Sequence, residues 1–319
     1  MATYLITGAA GFIGSSLARA LLQRGERVRG LDNFSTGKRE NLADLGRMDF
    51  HEASLLDLPA VAEACRGVDY VLHEAAIPSV PKSVTDPGTT NRANVEGTVN
   101  LLIAARDAKV KRVVYAGSSS VYGESPTLPK REDMMPDPIS PYAVSKLAGE
   151  LYMTSFYRVY GLETVTLRYF NVFGPYQDAD SQYSGVLAKF ITLMLRGEQP
   201  TIYGDGEQSR DFTYIDNVVS ANLLACSAPA AHVAGQVMNA ATGTRITLNQ
   251  TFKILKHMTG YSGAAHYGPE RAGDIKHSLA DISLACKLIG YKPVVGFEEG
   301  LARTVAWYRT QIARPAVVH

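Results

Sequence analysis

Tyr142 and Lys146 stand one helical turn apart in Tyr142-Ala-Val-Ser-Lys146, so both side chains fall on one face of a helix. A free tyrosine has a pKa of about 10, too high for a base at neutral pH. A nearby lysine ammonium and a positively charged cofactor ring would both favour phenolate and lower that value. Tyr-x-x-x-Lys also arises by chance in many helices, so the pair needs company. The run Ser118-Ser119-Ser120-Val-Tyr-Gly123 offers it at the end of a strand. A hydroxyl at the C-terminal edge of an α/β sheet can share a substrate proton with Tyr142. Serines also crowd turns for local hydrogen bonding.

A second constellation lies at the N-terminus. Gly8-Ala-Ala-Gly11-Phe12-Ile13-Gly14 joins the first strand to the first helix. Glycines there allow a sharp turn, close approach to a pyrophosphate and tight packing of the helix on the sheet, and the helix N-terminus offers free N–H groups. The spacing is one residue longer than the Gly-x-Gly-x-x-Gly fingerprint. Asp32, followed by Asn33 at the end of the second strand, can bind the adenosine ribose hydroxyls and would repel a 2′-phosphate, which favours NAD over NADP. Asp32 can equally open the turn that runs to Gly37. Asp57 is open between an adenine contact and a helix N-cap.

These residues need elements to hold them. Short β-rich runs are expected at Tyr4–Thr7, Val28–Leu31, Asp49–Glu52, Tyr70–His73, Arg112–Ala116 and Thr164–Tyr169. Helical patterns alternate with them at Ile13–Arg24, Leu58–Cys65, Asn94–Ala108 and Tyr142–Tyr160. The alternation predicts an α/β fold, a Rossmann-type doubly wound parallel sheet. After Gly174 it breaks down into glycine-, proline- and tyrosine-rich loops, a helical run Val186–Leu195 and mixed structure. Residues 1–174 therefore read as the NAD-binding domain. Residues 175–319 read mainly as a smaller C-terminal α/β substrate domain, with some segments returning to the first.

The 319 residues carry 46% hydrophobic and 20% charged side chains and a formal net charge of +1. That balance gives no electrostatic case for nucleic acid or an anionic membrane as partner. No apolar run approaches the roughly 18 residues that cross a bilayer. The N-terminus has no basic n-region or cleavage site and runs straight into a strand. Cys65, Cys226 and Cys286 read as structural thiols, and a cytoplasmic setting is expected. The seven histidines show no His-x-x-x-His pairing and no cysteine partners at ligand spacing, so no metal is expected. His73, at a strand end, reads as a structural residue.

Taken together, Gly8–Gly14, Asp32, the Ser118 run, Tyr142 with Lys146, and Arg168-Tyr-Phe-Asn-Val-Phe-Gly174 resemble the extended short-chain dehydrogenases, specifically their UDP-sugar 4-epimerase branch. The likeness runs to about Trp307. It implies Ser118 as the catalytic hydroxyl with Ser119 and Ser120 alongside, Tyr142 as acid–base, and Lys146 on the nicotinamide ribose. Asn94 resembles the family asparagine near the cofactor. The implied reaction removes the C4 proton and hydride to give a 4-ketopyranose, then returns the hydride on the other face, so that NAD is regenerated.

Sibling dehydratases resemble this chain but carry Thr-Asp-Glu where it has three serines, and UDP-glucuronate decarboxylases carry a glutamate there. With neutral hydroxyls alone, the resemblance implies an epimerase. In the substrate half, Arg210 and Arg271 match arginines that hold the nucleotide diphosphate, a task suited to guanidinium geometry. Asp274 matches a uridine ribose contact, Asn171 a phosphate contact and Tyr203 an aromatic stacked on uracil. Ser278 stands where enzymes restricted to UDP-glucose and UDP-galactose carry a tyrosine. It leaves room for a 2-acetamido group and points to UDP-GlcNAc/UDP-GalNAc as preferred or shared substrates. A UDP-uronic acid epimerase, a nucleotide-sugar reductase or dehydratase, and a non-enzymatic NAD-binding regulator are the rival readings. Family members commonly form homodimers through two helices, here Asn94–Ala108 and the one bearing Tyr142 and Lys146, to which Leu101, Leu102, Leu147, Leu151 and Met153 could contribute, although core packing explains some of them equally well.

Overall fold

Strands buried on both faces read as nearly continuous apolar runs, and β-branched residues fill them because they suit a pleated surface. The computed structural model describes residues 1–179, 185–270 and 276–313. Seven such strands form one sheet: β1 (Thr3–Thr7), β2 (Arg27–Asp32), β3 (Asp49–Glu52), β4 (Tyr70–His73), β5 (Arg112–Ser118), β6 (Glu163–Tyr169) and β7 (Gln236–Ala240). Their order is β7-β6-β5-β4-β1-β2-β3, and every pairing is parallel. The order reverses between β1 and β4, which opens a crevice at their C-terminal ends where open α/β sheets bind ligands.

Side chains alternate across the sheet and define its two covers. Leu5, Val71, Val113 and Tyr115 face α2 (Leu58–Cys65), α3 (Gly97–Asp107) and α4 (Pro141–Tyr160). Ile6, Leu72, Val114 and Leu167 face α1 (Phe12–Gln23) and, later in the chain, the helix Ile215–Ser227. That helix and β7 come from beyond Gly174, so the first sheet is completed by returning chain. The remaining segments build a smaller lobe of short strand pairs, Ser209–Arg210 with Ile246–Thr247 and Thr201–Tyr203 with His266–Gly268. Helices α5 (Val186–Leu195), α7 (Leu248–Thr259) and α8 (Phe297–Ile312) pack around them, with α6 (Ile215–Ser227) as the link to the sheet. Thr247 and Gln250 form a reciprocal capping box at the start of α7.

Two expectations need correction. The helix expected from Asn94 to Ala108 begins at Gly97, after a wide π-type turn at Arg92–Glu96. Asn94 there points inward to bond the Ile77 backbone and Ser145, which periodicity alone does not register. Of the residues assigned to a dimer face, Leu101, Leu102 and Met153 are buried in the core beneath α3 and α4, whereas Leu151 is exposed. Cys65 and Cys226 are buried free thiols whose pKa values burial pushes up to about 12.

Two buried arginines hold the layers. Arg112 bonds Glu163 at 2.6 Å and donates to the Ala225, Cys226 and Ala228 carbonyls, closing the C-terminal end of α6 onto β5. Arg168 on β6 grips Glu150 on α4 through two hydrogen bonds of 2.6 and 2.9 Å, both side chains being almost fully buried. Removing one partner of such a pair leaves an uncompensated buried charge. Glu150→Gln is expected to cost about 3–5 kcal/mol in a denaturant unfolding titration.

Candidate active site

The glycine turn forms the floor of the crevice. Gly8 has φ of +69°, a conformation that glycine adopts without steric penalty. A Cβ on Gly14 would lie 2.1 Å from the Gly8 carbonyl oxygen, so α1 approaches β1 more closely than any side chain permits. Gly11 caps α1 without a side-chain hydrogen bond, which leaves first-turn N–H groups facing the crevice. Phe12 and Ile13, the first residues of α1, are part-exposed beside it. Asp32 is buried at the end of β2 and accepts from the Ala10 N–H at 2.9 Å and the Phe34 N–H at 2.7 Å. Burial pushes its pKa up, and the backbone N–H groups oppose that rise. Each oxygen keeps a lone pair for a ribose hydroxyl. A glycine floor, an open helix N-terminus and a carboxylate at this spacing fit a dinucleotide. Asn33 is exposed and accepts from the Ser35 N–H. Asp57 caps α2 by accepting from the Ala60 N–H at 3.2 Å.

The hydroxyl machinery is set by α4. Ser140 caps this helix by accepting from the Ala143 N–H, Pro141 opens it, and the Tyr142 N–H donates to Ser83. The Tyr142 hydroxyl is hydrogen-bonded to Ser118. Burial raises the tyrosine pKa, and this bond pulls it back down. Ser118 and Ser120 hydroxyls lie 2.8 Å apart in a short 3-10 turn that also holds Ser119. Lys146 is buried one turn below Tyr142, donating to the Ala116 carbonyl at 2.9 Å. Burial lowers its pKa to about 8 against the opposing field of Glu74. Ser118 opposes the burial-driven rise at Tyr142, while the Lys146 ammonium bonds the Ala116 carbonyl. Asn94 is buried, accepting from the Ile77 N–H and donating to Ser145 and the Ile77 carbonyl, so it ties the end of β4 to α4.

On the smaller lobe, Asn171, Tyr203 and Arg210 line one cavity of about 250 Å³ together with Val186 and Leu187. Asn171 has φ of +34° and donates to the Asp211 carbonyl. Arg210 donates to the Ser209 and Lys276 carbonyls and also borders an outer hollow of about 750 Å³. Ser278 lies beside this strand, its N–H donating to the Ser209 carbonyl at 2.9 Å. Arg271 and Asp274 lie outside the described residues. Exposed Lys276 stands 4.0 Å from Asp205. His73 is fully buried between the Thr7 and Thr98 hydroxyls, and burial lowers its pKa to about 3. Sequence reasoning missed Ser83, Ser140 and Glu74. The acid in His73-Glu-Ala-Ala was a legible signal, since it follows a strand that ends at the crevice.

The NAD dependent epimerase/dehydratase family model matches residues 4–241. The UDP-glucose 4-epimerase of Thermotoga maritima, solved with UDP-glucose, is 40% identical with a TM-score of 0.92 and covers 97% of this chain and 99% of its own. The UDP-N-acetylglucosamine 4-epimerase of Methanobrevibacter ruminantium, solved with UDP-N-acetylmuramic acid, is 42% identical with a TM-score of 0.93 and the same coverages. A UDP-glucuronic acid 4-epimerase from Bacillus cereus, solved with UDP-glucuronic acid and NAD, is 33% identical over 97% of this chain and 99% of its own, with a TM-score of 0.89.

The glycine contact makes its own test. Gly14→Ala is expected to push α1 off the Gly8 carbonyl and reduce NAD affinity by at least about tenfold, read by calorimetric titration.

Proposed function

The chain belongs to the NAD-dependent epimerase/dehydratase family, and on that premise we propose that it inverts C4 of a UDP-sugar. The observation that carries this reading is the Ser118–Tyr142 hydrogen bond at the crevice, with three neutral hydroxyls and no acid in the Ser118–Ser120 turn. A hydroxyl pair can move one proton on and off C4. An added carboxylic acid, needed to expel water or promote further chemistry, is missing from that turn. NAD, when bound, supplies the hydride acceptor and donor.

In this reading Tyr142 takes the proton of the C4 hydroxyl while Ser118 holds the same oxygen in line. Lys146 anchors the nicotinamide ribose, and Asp32 the adenosine ribose, with Gly8, Gly11 and Gly14 under the pyrophosphate. Asn171 and Arg210, joined by Arg271, hold the diphosphate. Tyr203 stacks on the uracil, and Asp274 binds the uridine ribose. Residues 1–174 form chiefly the cofactor half and residues 175–319 chiefly the sugar half. Two copies pair through α4, whose exposed Val144, Leu151, Tyr152 and Val159 form an apolar stripe.

The sugar is a UDP-hexose, with UDP-GlcNAc/UDP-GalNAc as the preferred or a shared pair. The support is Ser278, a small residue bonded through its backbone N–H to the Ser209 carbonyl, at the position where the resembling UDP-glucose-restricted enzymes carry a tyrosine.

Two measurements test the chemistry and the sugar. Ser118→Ala removes the bond that lowers the Tyr142 pKa, so the acidic limb of the kcat profile should move to higher pH. Turnover at neutral pH should fall by about 10²-fold and partly recover in alkali. An unmoved limb argues against this proton route. Products formed from UDP-GlcNAc and UDP-glucose, followed by proton NMR, should include UDP-GalNAc at a rate at least equal to that of UDP-galactose. Ser278→Tyr should depress the first conversion about tenfold or more relative to the second. Equal losses would remove the size argument, and turnover of UDP-glucuronic acid alone would replace the hexose with the uronic acid.

A further inference from the structure

Glu74 has no part in the chemistry derived so far, yet it is placed where charge matters. It follows β4 at the crevice, and its backbone closes on the glycine turn: a Cβ on Gly8 would lie 2.9 Å from the Glu74 carbonyl carbon. Glu74 Oε1 accepts from the Tyr169 hydroxyl at 2.9 Å. Asn222 on α6 donates to that same hydroxyl at 2.7 Å, which directs the phenol proton toward the carboxylate. Glu74 Oε2 is buried with no hydrogen-bond partner. A carboxylate oxygen kept dry and unpaired is costly unless a positive group comes to it or a proton binds it.

The groups around it narrow the choice. Lys146 faces it from α4, His73 precedes it on β4, Tyr115 faces it from β5 and Tyr169 from β6, with Cys226 of α6 behind Tyr169. Burial keeps His73, Tyr115, Tyr169 and Cys226 neutral across the ordinary pH range. Lys146 is thus the cation in its field among the described residues, and its ammonium bonds the Ala116 carbonyl. Its backbone touches the glycine turn, and its buried carboxyl lies in the field of the lysine assigned to the nicotinamide ribose. Oxidised and reduced nicotinamide differ there by one positive charge on the ring.

We propose that Glu74 sets the balance between the two redox forms of the cofactor, its free carboxylate oxygen favouring the positively charged oxidised ring. This rests on the NAD-dependent family reading and not on the identity of the sugar. An epimerase returns its hydride in every cycle, so a fixed negative charge that favours the oxidised form speeds that return and resists arrest in the reduced state. Burial pushes the Glu74 pKa up to about 7, with Tyr169 and Lys146 opposing the rise, so the preference is tied to pH. By linkage, ionised Glu74 favours the oxidised form, and the preference weakens as the pH falls through its pKa. Deprotonation of Lys146 acts in the same direction, which requires variants to separate the two.

The holoenzyme is equilibrated with equimolar NAD and NADH from about pH 5.5 to about pH 8.5, and the bound ratio is read by chromatography after removal of free cofactor. The oxidised-to-reduced ratio should rise about tenfold across that range in the wild type, equivalent to one unit of pKa shift. In Glu74→Gln, which keeps the shape of the side chain, the rise should shrink and the oxidised preference should fall at the upper pH. Tyr169→Phe removes the donor to Oε1, so the midpoint should move to higher pH while the rise persists. An equal rise in Glu74→Gln and wild type, or an unmoved midpoint in Tyr169→Phe, overturns the proposal. Because no sugar is present, either failure leaves the epimerase reading where it stands.

Discussion

The contact of Gly14 with the Gly8 carbonyl is the constraint from which the rest of the site follows. A helix can approach the first strand that closely only without a side chain between them. Once it does, the N-terminus of α1 points its free N–H groups into the crevice where the strand order reverses. The ends of β2, β4 and β5 then arrive at fixed distances around that point. Asp32, Glu74 and Ser118 are carried to the same edge by register alone. Parallel pairing is unforgiving in this respect, since a slip of one residue would turn each of them to the opposite face.

Burial supplies the chemistry with its tension. The same loss of water that lowers the Lys146 pKa raises those of Tyr142 and Glu74. Lys146 and Glu74 are brought closer to neutral pH, whereas Tyr142 is moved away from it and depends on Ser118 to oppose the rise. The fold tolerates these costs because the surrounding polar groups are rigidly held. Ser118 is bonded to Ser120, Asn94 to the Ile77 backbone, and Glu150 to Arg168 behind the catalytic helix. The ion pair matters here as a fixture: it fixes α4 against β6, and α4 carries both Tyr142 and Lys146.

The smaller lobe answers to a different requirement. Its strands are only two or three residues long, so aromatic packing among Phe173, Phe212, Tyr214 and Phe297 takes over the role that a long sheet plays elsewhere. Asn171, Tyr203 and Arg210 come from three separate segments and meet in one cavity. Such convergence suits a lobe that must grip one end of a ligand while the other end meets the larger sheet.

Sequence alone determined six of the seven strands, the helices between them and the Tyr142–Lys146 pair on α4. Strand length, the 3.6-residue period and the glycine spacing are local properties, written in neighbouring residues. It carried the start of α3 less well, because Asn94 turns inward to partners on β4 and α4 that no local pattern contains. Asp57 caps α2 by accepting from the Ala60 N–H, a partner that spacing alone leaves open beside an adenine contact. The protonation of the site was decided only in three dimensions. Glu74 owes its phenol donor to Tyr169 on β6, Lys146 its carbonyl partner to β5, and Tyr142 its hydrogen bond to a serine on that same strand. A pKa depends on the water excluded and the charges that face a group, and those are assembled from distant segments only when the chain folds.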